Sequence, residues 1–213
     1  MGFDVLPLFS TPVASTFLEV DCSKILEIIS QYDFEEYGTK NGYQSCNITV
    51  LDLPELKSLR NLIDIRVKQY LHDILRIEKD NKKNGTIEFY MHSSWVNLHK
   101  PGHFAQPHLH KNSMYSFVFY VDTCENCGDL YFSKPILTST HGFSSYVFPF
   151  SDFTLLNSDS WDISPKKGML WIFPASVLHG TYPNKGVRDR YSIVGNYSLK
   201  GTIGTDTSTV TFK

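Results

Sequence analysis

Glu88-Phe-Tyr-Met-His-Ser-Ser-Trp-Val-Asn-Leu98 and Tyr115-Ser-Phe-Val-Phe-Tyr-Val121 are the two stretches on which the fold turns. Each is dense in β-branched and aromatic residues, and its period is two, as in a strand whose successive side chains point to opposite faces. Reading onward, Asp129 to Phe132, Ser144 to Phe148, Gly168 to Phe173 and Arg190 to Ser198 have the same character and lie between turn-forming residues. Many short strands in succession point to a jelly-roll or related β-barrel.

Reading backward from Thr86, the period lengthens. Between Pro54 and Ile77, apolar residues fall at Leu56, Leu59, Ile63, Val67, Tyr70 and Ile74, a spacing that gathers them on one side of a helix. Pro54 suits a first helical turn. A shorter helix is expected over Ser23 to Gln31 and a polar loop over Asn81 to Gly85. The expected architecture is mainly β, with N-terminal helices packed on one face of the jelly-roll. One domain is expected over residues 1–213, with a helical lead-in (1–85) and a β core (86–200). The stretch from Ser133 to Ser164, rich in Ser, Thr, Phe and Asp, reads either as a substrate-facing lid or as an inert surface insertion.

Composition narrows the classes of function. Of 213 residues, 41% are apolar and 20% charged, which suits a folded globular chain. A formal net charge of −2, without a Lys/Arg-rich block, gives no field that would recruit nucleic acid or an anionic membrane. No apolar run approaches the roughly 20 residues that span a bilayer, and Met1 to Pro12 lacks the order of a secretory signal. A cytoplasmic protein is therefore expected. Four cysteines are too few for a disulfide scaffold. Cys124 and Cys127 form a CxxC, but a closed zinc site needs four ligands and no second pair lies nearby, so two reduced thiols in a loop are expected. An exposed strand edge would permit a homodimer without requiring one.

The chemistry-bearing segment is Gln106-Pro107-His108-Leu109-His110. In a strand, His108 and His110 would project from one face toward a common ion. His179 follows the strand Gly168-Met-Leu-Trp-Ile-Phe-Pro174 after a short loop, and three converging imidazoles would leave open positions on an octahedral iron. The bland alternative for His179 is a partly buried loop histidine bonded to a carbonyl. Eleven residues later, Arg190 and Ser192 share a strand face; the guanidinium offers a planar fork for a carboxylate and the hydroxyl one more donor. Trp95, Asn97 and His99 share another face, and Asn196 shares that of Arg190, so these four are candidate pocket residues. His103 sits in an expected loop and ranks below the pair at 108 and 110 as a ligand.

The order His-x-His, strand, distal His, Arg-x-Ser resembles the 2-oxoglutarate and iron(II)-dependent oxygenases, whose usual signature has His-x-Asp or His-x-Glu first. Leu8-Phe-Ser-Thr-Pro-Val13, His108-Leu-His110, Ser116-Phe-Val-Phe-Tyr120, Gly168 to Pro174 and Arg190-Tyr-Ser-Ile-Val-Gly-Asn196 are similar to members from bacteria and phages, distantly related to prolyl hydroxylases. The resemblance implies a double-stranded β-helix in a bacterial or phage-infected cell. It implies iron(II) as cofactor and 2-oxoglutarate as cosubstrate. Under it, His108, His110 and His179 are the iron ligands, with His110 where a carboxylate normally stands. Arg190, Ser192 and Tyr120 hold the distal carboxylate of 2-oxoglutarate, and Asn97 joins the cofactor-binding set. The implied activity is oxidation, commonly hydroxylation, of a small-molecule or peptidyl substrate that the sequence does not identify, with release of succinate and carbon dioxide. A neutral imidazole at His110 leaves the site one unit more positive than usual, which puts the hydroxylation outcome in question. Two rivals remain: a three-histidine cupin-type dioxygenase that does not use 2-oxoglutarate, and a non-catalytic jelly-roll binding protein.

Overall fold

A computed structural model describes residues 10–38, 41–78, 80–81, 85–134, 149–205 and 207–213. In chain order the elements are β1 (Ala14–Phe17), α1 (Cys22–Ile29), β2 (Phe34–Tyr37), β3 (Gly42–Ser45), α2 (Lys57–Gln69), β4 (Asp80–Asn81), β5 (Gly85–Thr86), β6 (Glu88–His99), β7 (Ala105–His108) and β8 (Tyr115–Asp122). They continue with β9 (Leu130–Ser133), β10 (Ser160–Ile163), β11 (Met169–Pro174), β12 (Leu178–Thr181), β13 (Arg190–Thr205) and β14 (Ser208–Phe212).

The fold is the expected jelly-roll. A major antiparallel sheet runs β1-β11-β8-β13-β6-β3-β2, with β14 pairing the far end of β13, and a smaller sheet runs β10-β9-β12-β7. The strands central to the major sheet are buried on both faces, which explains the nearly unbroken apolar run in β8. Phe117, Phe119 and Val121 of β8 join Val96, Ile193 and Tyr197 under the helices, packing with Ile25, Ile29, Leu59, Ile63, Val67 and Tyr70. Val118 and Tyr120 face the other way, into a second cluster with Leu130, Phe132, Phe173 and Val194. That second cluster lies between the sheets. Strand alternation therefore makes one face of β6, β8 and β13 core and the other face site.

Asp21 caps α1 by accepting from the backbone N–H groups of Ser23 and Lys24 at 3.0 and 3.1 Å. The long helical expectation holds through Tyr70, where Pro54–Leu56 forms a 3-10 turn leading into α2. It fails at Ile74, which is 56% exposed, while Leu71 is fully buried. The reason is a π-helical turn over Tyr70–Ile74, closed by Leu75 N–H donating to Tyr70 O at 3.1 Å. This wider turn rotates the following residues off the stripe set by the 3.6-residue period.

The lead-in is less helical than expected. β1 pairs with β11, and β3 with β6, so the N-terminal segment extends the major sheet as well as covering it. Asn81 and Gly85, expected within a loop, are instead the last residue of β4 and the first of β5, two short paired strands. The expected strand Ser144 to Phe148 lies outside the described residues. Of the Ser133 to Ser164 stretch, residues 135–148 do too, and Ser160–Ile163 is the strand β10, paired with β9. The CxxC also departs from expectation, because Cys124 and Cys127 are joined as a disulfide rather than standing as two thiols.

One glycine makes room for the core on the helix-covered face. A Cβ on Gly195 would lie 2.5 Å from Phe117 Cε1 and 2.8 Å from the Ser93 carbonyl oxygen, so the Phe117 ring needs the bare backbone there. Gly195→Ala is expected to cost about 1–3 kcal/mol through overpacking. Urea unfolding of the variant checks this.

Candidate metal centre and cosubstrate pocket

The pocket between the sheets is lined by the inward faces of both. Trp95, Asn97 and His99 come from β6, Tyr120 from β8, and Arg190, Ser192 and Val194 from β13. Across from them stand His108 of β7 and His179 of β12, with His110 just beyond β7.

His108, His110 and His179 converge, with ligand nitrogens all within 4.8 Å of one another. They do so by a route the sequence did not suggest. His110 is not on the strand with His108; the chain leaves β7 after His108 and returns, and the His110 N–H donates to the Ala175 carbonyl at 2.9 Å. His179 is not in a loop but in β12, directly opposite His108 in the antiparallel register.

Each ring is oriented by its Nδ1. His108 Nδ1 donates to Gln106 O at 2.7 Å and His179 Nδ1 to Val177 O at 2.8 Å, in each case the carbonyl two residues earlier. His110 Nδ1 pairs with Asn196 Oδ1 at 2.5 Å. Acceptors at all three Nδ1 positions fix the tautomer that leaves Nε2 bare. The Nε2 atoms of His108 and His110 face each other at 3.2 Å. Burial pushes His179 down to about 3 and His110 down to about 4, so both are neutral at pH 7, the state that ligates a metal. His108 is exposed and His179 buried, so the cluster opens to solvent on the His108 side.

Asn196 shares this pocket-facing side of β13 as expected, but its work is on His110. Its Oδ1 also accepts from Ser116 Oγ at 2.8 Å, and its Nδ2 donates to Ser93 Oγ at 3.2 Å. Ser116, buried on β8 and 2.9 Å from His110 Nδ1, was not singled out by sequence reasoning. Ser116 is a small polar residue in a strand otherwise dominated by aromatic and aliphatic side chains, and that was the available signal. Asn196→Ala is expected to weaken metal binding about 10–100-fold, as loss of an outer hydrogen-bond partner does. Nickel(II) titration by calorimetry reads this directly.

Arg190 is 1% exposed, and among the described residues no carboxylate forms an ion pair with it. Its fork is already engaged: Nη1 donates to Cys127 O at 2.9 Å and Gly128 O at 2.5 Å, and Nη2 donates to Thr181 Oγ1 at 3.1 Å and to His99 Nδ1. Nε has no partner, and neither does the buried Tyr120 hydroxyl. Burial pushes Tyr120 up to about 12, which keeps it a donor. A buried cation without a counter-ion, beside two orphaned donors, is costly unless an anion completes it. A carboxylate-bearing ligand fits.

Ser192 lines the same pocket, and Asn97 does so while accepting from Trp95 Nε1 at 3.0 Å. His103 stands apart, accepting from the Lys100 N–H at 3.3 Å and facing Tyr43.

Three converging imidazoles with open space beside them, in a pocket that also holds a buried guanidinium, suit a mononuclear non-haem iron centre. Residues 93–196 match the family model described as "Putative 2OG-Fe(II) oxygenase". A comparison with curated proteins gives no match. Similar solved structures include a Pseudomonas putida prolyl-4-hydroxylase (15% identity, TM-score 0.55, covering 89% of this chain and 94% of that one). HygX from Streptomyces hygroscopicus, with nickel and 2-oxoglutarate bound, gives 10% identity, a TM-score of 0.58 and coverage of 88% and 82%. The viral collagen prolyl hydroxylase of Paramecium bursaria Chlorella virus-1, in complex with 2-oxoglutarate, gives 12%, 0.53, 87% and 94%. At these identities the likeness speaks for the fold.

Proposed function

We propose that His108, His110 and His179 hold iron(II) through Nε2, and that Arg190 Nε, Tyr120 Oη and Ser192 Oγ receive the distal carboxylate of 2-oxoglutarate. The observation that carries this is the pairing of three Nδ1-locked imidazoles with an unpaired buried guanidinium in one pocket. When bound, the iron and cosubstrate supply oxygen activation coupled to release of succinate and carbon dioxide. The chain's own residues do the rest. The Nδ1 acceptors keep the three lone pairs aimed inward, and the aromatic wall of Phe132, Phe173 and Trp95 keeps water sparse around them. Asn97, its carbonyl oxygen tied to Trp95, lines the cofactor side of the pocket.

A small-molecule or peptidyl substrate enters on the exposed His108 side, which leaves the buried His179 side to the cosubstrate. The lead-in and the β core act as one domain, a reading supported by β1 and β3 pairing into the major sheet and by their shared core. Among the described residues no helix is long and apolar enough to cross a membrane. The working compartment is the cytoplasm, where a CxxC disulfide would be of the reversible kind.

The deciding experiment incubates the protein with iron(II), 2-oxoglutarate and oxygen and measures succinate. Succinate formed in step with oxygen uptake supports the proposal. Oxygen uptake without succinate would favour a three-histidine dioxygenase that does not use 2-oxoglutarate.

A further inference from the structure

His99 has a role apart from lining the pocket. It lies opposite Arg190 in the β6–β13 register, is 2% exposed, and is bonded at both ring nitrogens. Nδ1 meets Arg190 Nη2, and Nε2 meets the hydroxyl of Tyr37 on β2. A guanidinium can only donate, so Nδ1 is the acceptor and the ring proton of neutral His99 sits on Nε2, where it donates to Tyr37 Oη. Gly42 on β3 leaves room for this ring, since a Cβ there would lie 2.6 Å from His99 Cδ2 and 2.9 Å from Tyr37 Oη. Tyr37 and Gly42 both belong to the N-terminal segment, outside the matched family region of residues 93–196.

Chemistry explains why a histidine suits this place. A carboxylate would orient Arg190 equally well but would neutralise it and compete with an incoming anion. A neutral imidazole orients the guanidinium and leaves its charge available. The other three acceptors on Arg190, two carbonyls and the Thr181 hydroxyl, are neutral as well.

We propose that His99, braced by Tyr37, is a positioning residue that aims Arg190 at the cosubstrate carboxylate without quenching its charge, so that β2 and β3 set the affinity for 2-oxoglutarate. This rests on the reading that Arg190 anchors 2-oxoglutarate.

The test uses the full chain loaded with nickel(II), which binds without turnover, and titrates 2-oxoglutarate by calorimetry. His99→Leu is expected to raise the 2-oxoglutarate Kd about tenfold or more, the scale of one hydrogen bond to a charged group. His99→Asn, whose Oδ1 falls near the place of Nδ1, is expected to recover most of that loss, and Tyr37→Phe to cost about threefold. Nickel affinity should stay at the wild-type value throughout, and with iron(II) the KM for 2-oxoglutarate should rise more than kcat falls. A wild-type Kd in His99→Leu, or His99→Asn no better than His99→Leu at unchanged nickel affinity, overturns the inference. Should His99→Leu fail to fold, a wild-type Kd in Tyr37→Phe overturns it instead. Failure of the underlying reading looks different: Arg190→Ala would then bind 2-oxoglutarate as well as wild type does, and this inference would fall with it.

Discussion

His179→Ala is expected to abolish stoichiometric binding of iron(II) or nickel(II). Removing an outer partner of a metal ligand costs about 10–100-fold in affinity, so removing the most deeply buried ligand should exceed the top of that range. Of the three proposed ligands, His179 is the one for which solvent cannot easily substitute, being 6% exposed and packed with its ring centroid 4.7 Å from that of Phe173. His108 and His110, on the open side, would remain as a loose pair. Equilibrium dialysis with metal analysis checks the result, and far-UV circular dichroism confirms that the fold persists. One metal per chain at unchanged affinity in the variant would remove His179 from the centre.

Arg190→Ala should weaken 2-oxoglutarate binding by about 2–5 kcal/mol, the usual cost of stripping one partner from a buried charge pair. The Tyr120 hydroxyl and Ser192 would be left to hold the distal carboxylate without a guanidinium beside it. The protein without cosubstrate should suffer less. Loss of the side chain forfeits four hydrogen bonds, but it also removes a buried cation that no carboxylate neutralises. Arg190→Lys should fall between, since an ammonium keeps the charge but cannot reproduce the planar set of contacts. Calorimetric titration of the nickel-loaded variants measures both effects, and an unchanged Kd in Arg190→Ala would refute the role.

The strands that form the two faces of the major sheet were legible because burial on both sides leaves a strong compositional trace. β6, β8, β11 and β13 all start within a residue of where alternation and apolar runs place them. β7 and β12 were not legible as strands. β7 is Ala-Gln-Pro-His, mostly exposed, and exists because β12 pairs with it across the sheet. So the sequence revealed which histidines belong together while misjudging how they meet: the expected shared face of His108 and His110 became a strand residue and a loop residue brought together by tertiary contacts. The same limit hid Ser116 and the brace on Arg190. Both depend on residues far apart in sequence, Ser116 and Asn196 being separated by 80 positions along the chain and His99 and Arg190 by 91. Local periodicity carries no information about such pairs. The β2 strand, Phe-Glu-Glu-Tyr, reads as surface and gave no hint that Tyr37 reaches the pocket's back wall.

The orienting bonds of the three imidazoles differ in kind. His108 and His179 are prepared by carbonyls of their own short segments in the smaller sheet, whereas His110 is prepared only when Asn196 and Ser116 of the larger sheet come within reach. An ion held by all three would rivet one layer to the other. Chelating it should loosen the sandwich first along that seam, before the helix-covered side begins to melt.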